Sequence, residues 1–159
     1  MKFNKLAGFG IASIVLFGSV GQLAINASPA EALKARQTIT VAAKSKSLIS
    51  SGSFVTTEQD HPTNGKAKIV KVNGKRYLEF SKGFTTARGP KVRVVLHRNS
   101  TVPVNLQQKD YVTLAALQRF DGAQRYQIPD NLNLDDFKSV AIWCEQFNVT
   151  FGYASLQNS

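Results

Sequence analysis

From Phe147 to Tyr153 the chain alternates without a break: Phe147, Val149, Phe151 and Tyr153 interleave with Asn148, Thr150 and Gly152. A period of two over seven residues predicts a strand with one buried face. The preceding run, Ser139-Val140-Ala141-Ile142-Trp143-Cys144, is just as strongly β-forming, but its apolar phase differs. Val140 and Ile142 share parity with Cys144, whereas Phe147 and Phe151 share parity with Trp143. A bulge or tight turn at Glu145-Gln146 would reconcile the two halves.

The rest of the chain carries the same kind of signal. Ser53-Phe54-Val55 opens the series. Lys66 to Val72 and Lys75 to Phe80 flank Asn73-Gly74, a hairpin turn whose two central residues must both accept positive φ. Gly89-Pro90 breaks the chain before Val92 to His97, and Tyr111 to Leu114 follows. Asp121-Gly122 turns into Gln124 to Ile128, which Pro129 ends. No segment holds a helical period of useful length, and no repeat is visible. About eight short, evenly spaced strands predict an all-β fold, a single β-sandwich or jelly roll. The domain spans residues 48–157, and residues 33–47 read as a basic, flexible lead-in.

Residues 1–32 have the layout of a signal peptide. Lys2 and Lys5 precede an uncharged run from Leu6 to Ile25, and small residues around Ala27 to Ala32 offer cleavage contexts. Gly8, Gly10, Gly18 and Gly21 dilute the run, so an uncleaved anchor is the weaker reading and no stable membrane span is expected after cleavage. The domain is therefore expected in the periplasm, at the cell surface or outside the cell. The chain has a net charge of +10, and removal of Lys2, Lys5 and Glu31 with the signal leaves +9. Lys66, Lys68 and the adjacent hairpin residues could form one basic face for an anionic glycan, lipid or protein, with Lys66, Lys68 and Lys71 the positions whose charge reversal would test it; the competing reading is a solvated surface. The export signal and the lack of any recognition motif argue against nucleic acid.

Few residues could carry chemistry. Cys144 is the only cysteine, so it is a core filler, an intermolecular link, or a redox or ligating thiol. A side-chain contact with Glu145 would raise its pKa and disfavour a nucleophile. The only histidines are His61, in the turn-rich Asp60-His61-Pro62-Thr63-Asn64-Gly65, and His97, which ends a strand beside Arg98 and is expected to face solvent. His61, His97 and Cys144 together would suit copper, zinc or iron, but they lie far apart in sequence. Asn131, Asn133 and Asp135 alternate like the start of a calcium loop without its glycine or final glutamate. Asp135-Asp136 fits better as the cap of one helical turn. The sequons at Asn99 and Asn148 read as coincidental. No nucleophile elbow, phosphate loop or zincin helix is present, so a redox partner or binding module is expected rather than a stand-alone enzyme.

Several segments together resemble one family. They are Gly52-Ser53-Phe54, His61-Pro62-Thr63-Asn64-Gly65, Gly89-Pro90-Lys91-Val92-Arg93-Val94-Val95-Leu96, Gly122 to Pro129, and Ser139 to Phe147 with Phe151 to Leu156. This combination resembles the DM-thirteen domain, also called the electron-transfer DM domain, over roughly Ser51 to Leu156. The resemblance implies an extracytoplasmic β-sandwich akin to the DOMON domains. It also implies an electron-transfer role for Cys144, as a bare thiol or as a ligand to a prosthetic group such as haem. His61 falls on a motif position and is the candidate second ligand. Trp143 and Tyr126 are the candidates for packing such a site. A redox partner protein would then be required.

Overall fold

A computed structural model describes residues 45–159. The predicted signal peptide and nearly all of the predicted lead-in lie outside the described residues. The strands are β1 (Lys46–Thr56), β2 (Lys66–Val72), β3 (Lys75–Phe80), β4 (Val92–His97), β5 (Tyr111–Ala116), β6 (Gln124–Ile128), β7 (Ser139–Cys144), β8 (Val149–Ser155) and β9 (Gln157–Asn158). β1 thus opens two residues before the expected domain boundary. Single 3₁₀ turns occupy Gln108–Asp110 and Leu134–Asp136. Among the described residues no helix is long and apolar enough to cross a membrane.

All pairings are antiparallel, in the order β5-β4-β7-β8-β1-β2-β3-β6, with β9 on β1. The expected all-β sandwich is borne out, curled almost into a barrel. β1 serves both halves: Lys46 to Ser53 pair with β2, and Phe54 to Thr56 pair with β8. Gly52 sits at the crossing, where a Cβ would fall 2.0 Å from the Ser155 carbonyl oxygen. At the seam between β5 and β6, side chains replace a ladder. Gln118 N–H donates to Tyr126 Oη at 3.1 Å, and Gln118 Nε2 donates to Arg125 O at 3.2 Å. Asn73 and Gly74 have φ of 51° and 82°, as the Asn-Gly hairpin requires.

The interior is filled by Ile69, Leu78, Val94, Leu96, Val140 and Ile142, with Phe54, Phe80, Phe84 and Tyr126 packed as a group of rings. A second, smaller core lies on the outer face of β4 and β7. There Val102 and Leu106, from the connection between β4 and β5, cover Val95, Ala141 and Trp143. Covering both faces buries every residue of β7.

Two expectations about side-chain direction are overturned. His97 does not face solvent: it is 1% exposed on the covered outer face, and its Nδ1 accepts from Asn99 N–H at 3.1 Å. An Nδ1 that accepts places the ring proton on Nε2, which has no partner among the described residues. The loop after β4 folds back over the strand end and encloses the ring. Nor does Phe147 lie on a buried face; it is 63% exposed, because Glu145 to Asn148 form the tight turn and take it out of the strand.

On the outer face of β3, Glu79 is the hub of a charge cluster. It accepts from Lys46 Nζ at 3.0 Å, from Lys68 Nζ at 3.3 Å and from the Arg125 guanidinium. Burial by itself would raise its pKa, but the hydrogen bonds from Lys46, Arg125 and Lys68 win and hold it at about 2. Lys68 is therefore partly neutralised. Lys71 alternates to the other side of β2 from Lys66 and Lys68, so the three lysines do not form one face.

Gly52→Ala should lower stability by about 3 kcal/mol in urea unfolding, because a backbone carbonyl cannot step aside as a flexible side chain would. The depressed Glu79 pKa stabilises the fold fully above its ordinary value of 4.5, and that contribution is lost as pH falls towards about 2. In Glu79→Gln, the acid-dependent part of the stability curve between these pH values should flatten.

Candidate functional site

Cys144 ends β7, cross-strand from Val92 of β4 and Val149 of β8. Its side chain points into the interior and is 1% exposed. The thiol donates to the Pro90 carbonyl at 3.1 Å. Pro90 belongs to the Gly89-Pro90-Lys91 segment, which lies across the end of the interior. Lys91 there adopts a φ of 49°, and its carbonyl accepts from Glu145 N–H at 3.1 Å. The Glu145 side chain turns away to Arg93, at 2.7 Å. The acidic neighbour that sequence places beside the thiol is thus engaged elsewhere.

The step between the two halves of the C-terminal hairpin comes from two devices. One is the turn at Glu145 to Asn148. The other is a bulge: Ile142 pairs with Gly152 and Trp143 with Thr150, which leaves Phe151 without a cross-strand partner. The extra residue re-aims Phe151. Its ring joins the interior with Cys144, although sequence parity groups it with Trp143. Phe151 then links two of the motif segments. His61 stacks on it with ring centroids 4.3 Å apart and planes 10° apart. Gly89 also presses on it; a Cβ there would lie 2.9 Å from Phe151 Cζ. The next residue, Gly152, is as tightly approached, with a Cβ position 2.6 Å from Thr63 Cβ. Thr63 is itself buried and shares a 2.8 Å hydrogen bond with Thr86 Oγ1.

His61 also bonds through Nδ1 to Glu58 Oε2. This bond is the main cause that holds the Glu58 carboxyl below its ordinary range. The His61-Glu58 pair is partly solvent-exposed, whereas the thiol is sealed. His61 is thus linked to the Cys144 region through Phe151, which it stacks on, and Gly89-Pro90, whose carbonyl holds the thiol.

The other candidates lie elsewhere. Trp143 adjoins Cys144 in sequence but points to the opposite face of β7, into the outer core. It packs against Tyr111 and donates from Nε1 to Asn148 Oδ1 at 3.0 Å. Tyr126 belongs to the ring group around Phe80; its hydroxyl donates to Gln124 Oε1 at 2.5 Å, and burial raises its pKa. Trp143 is thus separated from Cys144 by the sheet, whereas Tyr126 shares the interior cluster with it. His97 occupies the outer face with Trp143, across the sheet from the thiol. Asn133 Oδ1 accepts from Asp135 N–H at 3.3 Å, so the calcium-like run instead caps a 3₁₀ turn, with Asn133 as the capping residue.

The residues present do not fit haem or a metal ion. The thiol donates its proton in a hydrogen bond to Pro90 O, the sulfur belongs to the close-packed apolar core, and His61 lies flat on Phe151 with one nitrogen bonded to Glu58. Among the described residues no group of three His, Cys, Asp or Glu side chains is arranged to hold a metal. Sequence reasoning missed Glu58, Phe151 and Asn148. Asn148 had a legible signal, because an Asn after three turn residues is suited to positive φ, and its φ is 52°. Glu58, three residues before His61, offered only a spacing.

The family model described as Electron transfer DM13 matches residues 53–156. That match takes in β1 from Ser53, every strand to β8, and each residue of the site. No curated protein and no solved structure matches the chain significantly.

Asn148 is the clasp of the outer core. Its Oδ1 accepts from both Trp143 Nε1 and Leu106 N–H, and its Nδ2 donates to Leu106 O. Asn148→Ala should lower stability by about 2 kcal/mol and shift the fluorescence of the single tryptophan to the red. Both effects are measurable in one urea titration followed by emission.

Proposed function

The chain belongs to the electron-transfer DM13 family, and from that premise we propose that it is an extracytoplasmic electron-transfer module in which Cys144 is the redox-active group. The observation that carries this reading is the sulfur's setting. The only thiol of the chain is sealed yet covered by the short Gly89-Pro90-Lys91 segment, at the end where His61 and Glu58 reach the surface. Thiol–disulfide exchange requires an attacking thiolate in contact with another sulfur. A sulfur 1% exposed does not meet that condition. Outer-sphere transfer does not require contact with the sulfur. In that step Cys144 loses one electron to an oxidised one-electron centre of a partner protein. The S–H proton leaves past Pro90 O to solvent, and the sulfur remains as a thiyl radical. Return of an electron and a proton restores the thiol. The site fits neither haem nor metal, so the second redox centre belongs to the partner. Export rests on the sequence pattern of residues 1–32, with its two lysines, apolar run and small-residue cleavage contexts.

The test combines a spectrum with a thiol titration on protein purified from its native compartment. A one-electron oxidant is then added, and the radical is followed directly by electron paramagnetic resonance on freeze-quenched samples. Wild type should be colourless, keep its thiol unreactive to bulky alkylating reagents until unfolded, and give a sulfur-centred radical signal. Cys144→Ala should lose that signal while costing about 1–3 kcal/mol of stability. An equal signal in Cys144→Ala would overturn the role of the thiol. A Soret or charge-transfer band in the wild type would overturn the cofactor-free form.

A further inference from the structure

We propose that the outer face of β1, β2, β3 and β6 carries a second binding site, independent of Cys144, for an acidic polysaccharide. Two clefts meet on this face. One, of about 670 Å³, is lined by Lys66, Lys68, Lys82 and Arg125 around the carboxylate of Glu79. The other, of about 440 Å³, is lined by Ser51, Gly52, Ser53, Lys66, Ser155 and Gln157. They share Ser51 and Lys66, so they adjoin across the strands. Volumes of this size suit a bound ligand rather than ordered water alone.

The chemistry of the two halves defines the ligand. In the first half four cations face a single carboxylate. Glu79 fixes Lys68 and Arg125 in place, whereas Lys66 and Lys82 make no ion pair among the described residues. Two oriented cations and two free ones leave the groove electropositive, which draws an anion. Beside Lys66, the side chains of the second half are hydroxyls and an amide, which match a ligand rich in hydroxyls. An acidic peptide fits less well. β1, β2 and β3 are paired on both sides, and the outer side of β6 is engaged by Gln118, which bonds Tyr126 Oη and Arg125 O, so a peptide finds little strand edge to extend. A chain carrying both carboxylates and hydroxyls satisfies both halves at once.

The test is titration of the purified full chain with polygalacturonate at low and physiological salt. Neutral dextran, polyglutamate and phosphatidylglycerol vesicles serve as comparison ligands. Lys66→Ala/Lys82→Ala removes the two unpaired groove cations. Lys71→Ala/Lys75→Ala removes the same charge at the far end of the β2–β3 hairpin. Polygalacturonate should bind, dextran should not, and the groove pair should weaken binding roughly tenfold or more while the distal pair changes it less than roughly twofold. Cys144→Ala should bind as wild type, which separates this site from the redox role. Absence of polygalacturonate binding would overturn the proposal. So would equal loss in the two lysine pairs, which would indicate a diffuse charge effect. Tighter binding of polyglutamate or vesicles would overturn the polysaccharide assignment. Thermal unfolding confirms that each variant is folded.

Discussion

Everything in this domain depends on β1 changing partners within its own length. The strand leaves β2 after Ser53 and takes up β8 from Phe54, so one stretch of backbone joins both halves of the sandwich. A corner of this kind needs close approach of two backbones, and Gly52 provides it against Ser155. Because the corner holds, the β4-β7-β8 side and the β2-β3-β6 side enclose one interior between them. The aromatic group around Phe80 and the aliphatic layer of β4 and β7 then pack as a single core.

The site is a consequence of that enclosure. Four pieces of chain distant in sequence meet at one end: the loop after β1, the Gly89-Pro90 segment, the end of β7 and the bulge of β8. Each is held by a different kind of bond. His61 is held by stacking and by Glu58, Phe151 by the bulge, and the thiol by a backbone carbonyl. The arrangement holds the sulfur within the close-packed core, bonded to a backbone carbonyl. Dense packing of this sort suits a group that must keep one geometry through a change of redox state.

Strand content, the hairpin at Asn73-Gly74 and the phase step near Glu145 were all legible, because each is a local matter of alternation and turn chemistry. The family was legible too, from motif segments spread along the whole domain. What local pattern could not supply was the second layer. Nothing in β7 or in the 98–108 connection announces that Val102 and Leu106 fold over the outer face, and that covering accounts for the burial of His97 and the separation of Trp143 from Cys144. The grouping of the lysines failed for a simpler reason. Strand alternation sends Lys71 to the other side of β2, and an acid from a neighbouring strand, Glu79, claims Lys68. Pairings across strands depend on register, which no single segment contains.

The nearly closed barrel leaves two strand edges, and they are not equivalent. β6 presents Arg125 on its outer face, drawn into the Glu79 cluster. β5, Tyr111-Val112-Thr113-Leu114-Ala115-Ala116, has no charge and no proline, and four of its six residues are apolar and half-buried. A short, uncharged, β-forming edge is the kind of segment through which partly opened copies pair edge to edge. Lys109 and Asp110 precede it and Arg119 follows it closely, the positions at which gatekeeping charges interrupt such pairing. The openness that spares the fold a final ladder thus concentrates its colloidal weakness in six residues, guarded at both ends.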